Sequence, residues 1–195
     1  MTGPREETRE AIIEAAYACL ARSGPARTSI EDVAKEADVS RATVYRYFAG
    51  GRNDIIDAVV TWEYRRFFLR LYEAVRDCET LEEVMESGLM VAHRAIKDHA
   101  VLQMILKTEP EALEPAIRAE SAPSREMVAE FITPYLERHE LRPGTDVSQA
   151  ADFLARMVLS YMGSPGRWDL SNEAEVSRLV RGELLAGIVP SSPAR

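Results

Sequence analysis

Apolar residues return every three to four positions along almost the whole chain, and no stretch alternates in the two-residue period of a strand between hairpin turns. Residues 6–22 put Ile13, Ala16, Tyr17 and Leu20 on one helical face, and Gly24-Pro25 stops the run. Thr28 to Glu31 has the T-x-x-E spacing of a capping box and opens a short helix carrying Ile30, Val33, Ala34 and Ala37. Ser40 can cap a third helix, in which Val44 and Phe48 close over the first two; Gly50-Gly51 ends it. Beyond it the pattern predicts helices at about 52–76, 80–97, 99–107, 111–118, 124–139, 146–162 and 172–187. Thr80 to Glu83 is a second capping box, Pro110 suits a helix start, Pro143-Gly144 interrupts, Gly163 to Trp168 reads as a loop, and Ser191 to Arg195 as a frayed tail.

The predicted fold is all-α, with a three-helix amino-terminal domain over 1–51 and a larger helical domain over 52–195. A core of about 50 residues is small, so the first domain is expected to lean on the helix that follows it.

Composition narrows the function. The 195 residues carry 24 Lys and Arg against 32 Asp and Glu, a formal net charge of -8, which excludes a generally basic nucleic-acid-binding surface but not a local basic patch. No apolar run approaches the roughly 20 residues of a membrane helix. The start has no secretory pattern, and Cys19 and Cys78 are too few for a disulfide framework, so the expected location is the cytoplasm, without membrane attachment. His93, His99 and His139 form no metal-binding spacing, and nucleophile-elbow, phosphate-loop and dinucleotide motifs are absent, so neither an enzyme nor a metal or cofactor is expected.

The informative stretch is residues 28–48, TSIEDVAKEADVSRATVYRYF, which has the form of a helix-turn-helix. From 41 to 52 the charged residues are Arg41, Arg46 and Arg52 with no acid, against the acidic whole. Three arginines alone also describe a solvated helix face. Tyr45 and Tyr47 beside them favour a DNA face, where a ring can meet a thymine methyl and a hydroxyl a phosphate.

The run I-x-x-V-A-x-x-A-x-V-S-x-x-T-V-Y-x-Y-F, followed by G-G-R-x-x-I-I, spans Ile30 to Ile56. Residues 9–62 as a whole resemble the amino-terminal domain of the TetR family of bacterial transcriptional regulators. The resemblance implies that Thr28 and Ser29 donate to a phosphate, that Arg41, Thr43 and Tyr45 meet bases and nearby backbone, and that Tyr47 and Arg52 grip phosphates. Two departures stand out: Asp38 occupies a turn position where Gly is frequent, and Gly50-Gly51 makes the link to the fourth helix one residue longer.

In the carboxy-terminal body, the helix from 146 and the last helix have more apolar surface than one contact needs. The family's dimer bundle implies a two-fold interface through Ala151, Leu154, Ala155 and Val158 with Val176, Leu179, Val180 and Leu184. Between the two ends, soft and aromatic side chains suit either a plain core or a small-molecule pocket. The resemblance favours a pocket bordered by Trp62, Phe67, Met90, His93, Met104, Met127, Phe131 and Tyr135. Few inward charges point to an apolar or amphipathic ligand. The expectation is a homodimeric repressor released from a palindromic operator by such an effector. A constitutive DNA-binding regulator without effector, or a helical interaction module that has lost DNA binding, are the alternatives.

Overall fold

The computed structural model describes residues 4–108 and 122–190. The helix expected at 111–118, the start at Pro110 and the tail from Ser191 to Arg195 lie outside the described residues. Among the described residues the secondary structure is helical throughout: α1 (Pro4–Ser23), α2 (Ile30–Glu36), α3 (Arg41–Tyr47), α4 (Arg52–Val75), α5 (Leu81–Asp98), α6 (Ala100–Thr108), α7 (Ala122–Arg138), α8 (Val147–Gly163) and α9 (Glu173–Leu179). None of these helices is long and apolar enough to cross a membrane.

The described residues fall into two compact units, one within Met1–Leu69 and Lys97–Leu113, the other within Arg70–Ile96 and Glu114–Arg195. In the first, Ile12, Ala16 and Leu20 of α1 meet Val33 of α2, Val44 of α3 and the following Phe48. Ile55 and Val59 of α4 and Val101 of α6 complete that cluster, so the small three-helix core does draw on later helices. The packing unit thus extends past residue 51 into α4.

Local chemistry sets the helix ends. Gly24, at φ +79°, returns its N–H to Leu20 O at 2.9 Å and closes α1. The capping box of α2 is shifted by one residue from the Thr28–Glu31 expectation. Ser29 is the N-cap, its Oγ accepting from Asp32 N at 3.2 Å while Ser29 N donates to the Asp32 carboxylate at 3.0 Å. The shift follows from Thr28 being only 7% exposed, with its hydroxyl donated to Gly24 O at 2.8 Å. The second box forms as expected, Glu83 N donating to Thr80 Oγ1 at 3.2 Å and Thr80 N to Glu83 Oε2 at 3.1 Å.

These two carboxylates predict an acid limb of stability. Hydrogen bonds from the Ser29 hydroxyl and backbone N–H hold Asp32 below the usual 3.8, and backbone N–H groups of Glu79 and Thr80 hold Glu83 below the usual 4.5. A group with a depressed folded pKa stabilises fully above its unfolded value and loses that contribution as pH falls through the folded value. Melting temperature should therefore drop below about pH 4, and Asp32→Asn with Glu83→Gln should flatten that drop. An unaltered acid profile in the double variant would exclude these caps as its source.

In the second unit α7 and α8 make the most extensive helix pair, around Ile132, Leu136, Ala151, Leu154 and Ala155. The helix expected over 172–187 is not continuous. After Leu179 the chain widens into a π-helical turn, Val180–Leu184, closed by Leu185 N donating to Val180 O at 2.8 Å. Gly182 within this turn is a weak helix former, and the wider turn still buries Val180, Leu184 and Leu185.

Candidate DNA-binding surface

The turn between α2 and α3 is built from backbone bonds. Val39 N donates to Ala34 O at 2.9 Å and Asp38 N to Lys35 O at 3.3 Å, with Asp38 at φ +51°. This is the left-handed helix stop usually given to Gly, and Asp tolerates it, as the sequence implied. Ser40 then caps α3, accepting from Thr43 N at 3.1 Å, its hydroxyl lying 3.0 Å from that of Thr43.

With Val44 and Phe48 buried, the opposite side of α3 presents Arg41, Ala42, Tyr45 and Arg46 to solvent. Arg41 sits at the first helical position, 3.8 Å from the Glu31 carboxylate across α2; both are exposed, so this pair is worth only about 0–1 kcal/mol and can be exchanged for a phosphate or base. Tyr45 is 44% exposed. Tyr47 is half-buried against the core, with the Arg46 guanidinium 5.3 Å from its ring centroid, so its ring is positioned from both sides. From the sequence Arg46 was counted in the basic face without a contact of its own, and Ala42, one turn away on the same face, was not named, although their four-residue spacing was readable. Arg9 of α1 adds another exposed cation, its guanidinium 5.3 Å from the Phe48 ring centroid beside the end of α3.

The remaining residues of the expected phosphate grip are engaged within the protein. Besides the buried Thr28 hydroxyl, Ser29 Oγ donates to Asp32 Oδ2 at 2.6 Å, which sets a carboxylate beside the expected phosphate position. Arg52 Nε donates to Thr28 O at 3.2 Å, and its Nη2 donates to Pro25 O. A shallow depression of about 10 Å³ under Arg52, among Leu20, Val33 and Ile55, has room for about one water and no effector.

The link from α3 to α4 is tight. Gly51, at φ +68°, donates to Phe48 O at 2.9 Å, and Gly50 N donates to Asp54 Oδ2 at 2.6 Å. A Cβ on Gly50 would run into the Asp54 carboxylate, and one on Gly51 would lie 3.4 Å from Tyr45 Cε1, an ordinary contact.

The residues expected to border an effector fall in both compact units. In the first, Trp62 packs on Tyr17 with ring centroids 5.6 Å apart and is covered by the Arg66 guanidinium 4.3 Å from its ring centroid; Phe67 stacks edgewise on Phe68 at 5.2 Å, and Met104 is half-buried. In the second, Phe131 lies between Tyr72 at 5.1 Å and Tyr135 at 5.4 Å, while Met90, His93 and Met127 are half-buried. Burial pushes the Tyr135 hydroxyl above its usual pKa, keeping it protonated. Tyr72, in the last turns of α4, belongs with this aromatic set.

The expected dimer residues need correction. Ala151, Leu154, Ala155, Val176, Leu179, Val180 and Leu184 are each at most 2% exposed, so they form the chain's own core and have no surface left for another chain. Only Val158 is half-buried. The open side of α8 is the stripe Phe153, Met157 and Tyr161, with Phe153 42% exposed. At its end the Tyr161 hydroxyl donates to Glu183, which pairs with Arg167 at 3.1 Å.

Among the described residues no group of three or more His, Cys, Asp or Glu side chains is arranged to hold a metal ion. Residues 12–59 match the family described as bacterial regulatory proteins, tetR family. The chain is 27% identical over 175 residues to the uncharacterized HTH-type transcriptional regulator Rv1255c of Mycobacterium tuberculosis, covering 90% of this chain and 84% of that protein. It is 20% identical over 191 residues to the HTH-type transcriptional regulator UidR of Escherichia coli K12, covering 96% and 95%. The crystal structure of the TetR family repressor AlkX from a Dietzia strain superposes with a TM-score of 0.62 at 21% identity, over 95% of this chain and 99% of that one. The two relatives are HTH-type transcriptional regulators, and the superposed structure is a TetR family repressor. The segment that carries the helix-turn-helix, with two arginines and a tyrosine on its exposed α3 face, thus matches the TetR family of bacterial regulatory proteins, and the chain as a whole is similar to HTH-type transcriptional regulators and has the fold of a TetR family repressor.

Proposed function

We propose that the protein is a homodimeric repressor that binds a palindromic operator and is released by an apolar or amphipathic small molecule. The observation that carries the DNA half is the outward face of α3: Arg41, Ala42, Tyr45 and Arg46 on a short helix capped at its start and braced by Val44 and Phe48. Two such helices, about 34–36 Å apart in a dimer, would enter successive major grooves on one side of the duplex. Selection of bound duplexes from a random pool tests this directly. A palindromic consensus supports it, and recovery of no sequence preference rejects it.

For the effector half, support comes from Phe131 touching Tyr72. A ligand inserted among Met90, His93, Met127, Phe131 and Tyr135 would act on the end of α4, the helix whose start is joined to α3. To act as a switch it must prefer the conformation that does not fit DNA; a preference of about 1–3 kcal/mol gives roughly 5- to 150-fold coupling. Titrating fatty acyl and aromatic compounds should reveal one that weakens operator binding by such a factor, with operator weakening that compound equally. A compound bound at Phe131 without this reciprocal effect would reject the switch.

A second reading, a constitutive DNA-binding regulator, is favoured by one observation: Trp62 is covered by Tyr17 on one side and Arg66 on another, as a core residue is. Failure of every ligand class to couple, in a protein that does bind operator, would select it.

A further inference from the structure

Arg52 opens α4, and its guanidinium does not simply extend into solvent. It reaches back 24 residues in sequence to Thr28 O and 27 to Pro25 O. Those carbonyls belong to a loop already folded on itself, with Thr28 N donating to Pro25 O at 3.3 Å and Thr28 Oγ1 to Gly24 O at 2.8 Å. The next residue, Ser29, is the N-cap of α2. One turn beyond Arg52, Ile55 is buried in the same core as Leu20 and Val33, so the base of α4 is fixed while its first side chain holds the entrance of α2.

We infer that Arg52 is a positioning residue, a clamp between α4 and the loop leading into α2, and not a ligand of DNA phosphate. The planar guanidinium suits this role. It offers donors in a rigid fork, and two carbonyl oxygens at different points of one loop take Nε and Nη2. A lysine ammonium has the same charge but a single donor centre on a flexible stem. The consequence for regulation is a second connection from α4 to the reading head. The short Gly50-Gly51 link joins α4 to α3, and the clamp joins it to α2, so a displacement of α4 carries both helices of the helix-turn-helix together.

This inference rests on the DNA-binding reading, and the test separates the two. Operator affinity is measured against salt concentration for the full-length protein and for Arg52→Lys and Arg52→Ala, alongside amide hydrogen exchange at Asp32 and Val33. For a clamp, both variants lose about three- to tenfold in affinity, since hydrogen bonds from a charged donor are lost in each. The lysine variant retains the wild-type salt slope, and exchange at the start of α2 speeds up in both variants without DNA present. For a phosphate ligand, Arg52→Ala lowers the slope by about 2 for a dimer, Arg52→Lys restores wild-type affinity, and exchange at α2 is unmoved; that result overturns the inference, as does a lysine variant with unaltered exchange. If the wild-type protein bound no DNA, the DNA-binding reading would fall and the exchange measurements alone would still decide the clamp.

Discussion

Leu154→Glu is expected to prevent the carboxy-terminal unit from folding, while Phe153→Glu with Met157→Glu yields a folded monomer. The three positions lie within two turns of α8 and differ in what surrounds them. Leu154 has no exposed surface and lies in the helix that packs on α7, so a carboxylate there is buried without a partner, at a cost of several kcal/mol. That is a large fraction of the roughly 5–15 kcal/mol that holds an ordinary domain together. Phe153 already faces solvent, and Met157 is half open, so charges there remain hydrated in the protomer and become costly only when a second copy covers them. Circular dichroism melts and sedimentation separate the outcomes. A cooperative melt from the Leu154 variant would contradict its burial, and a dimer persisting in the Phe153 and Met157 variant would remove this face as the interface.

The second large effect is expected on DNA. Arg41→Ala and Tyr45→Ala should alter which base pairs are preferred, because these side chains leave the amino-terminal half and centre of the exposed α3 face. A bidentate arginine contact to a base is worth about 1–3 kcal/mol, and a dimer loses two, so specific binding should weaken by roughly 30-fold to more than 10⁴-fold while binding to random DNA changes far less. Tyr47→Phe and Arg46→Ala should lower both kinds of binding together, Arg46→Ala also reducing the salt slope. Competition titrations with operator and random duplexes read this sorting directly, and a loss confined to random DNA in the Arg41 variant would place α3 the wrong way round.

The helix-turn-helix was legible because its determinants are local. Val33, Val44 and Phe48 repeat at helical spacing, and Ser40 and Asp38 act within three or four residues of themselves. What the sequence obscured depends on contacts distant along the chain. Thr28 and Ser29 are both cap-forming residues, and only the burial of Thr28 against Gly24 decides between them. Arg52 reads as a free cation until the carbonyls of a loop some 25 residues earlier come beside it. Doubled apolar faces on α8 and α9 suggested two chains, but periodicity cannot say which neighbour covers a face. Here α7 covers α8, and the α9 positions Val176 and Leu179 are buried within this chain alone, so burial that had been given to a partner is internal. The same ambiguity applies to aromatic residues, for Trp62 and Phe131 look alike in sequence and have different surroundings.

The joint at Gly50 and Gly51 bears on how such a regulator can change its target. Gly50 holds its N–H on the Asp54 carboxylate, which a side chain there would push aside, and Gly51 is restricted by its backbone angle, with the Tyr45 ring beside it at ordinary contact distance. Tyr45 thus rests on its inner side against a backbone position that favours glycine, while Ala42 faces solvent and Arg41 and Arg46 touch only Glu31 and the Tyr47 ring. Drift in operator preference can therefore proceed through those three residues with the joint unchanged. A change at Tyr45 is of another kind, since it also removes the ring that rests against the joint. In a substitution library Gly51 would stay glycine whatever stands at positions 41, 42 and 46.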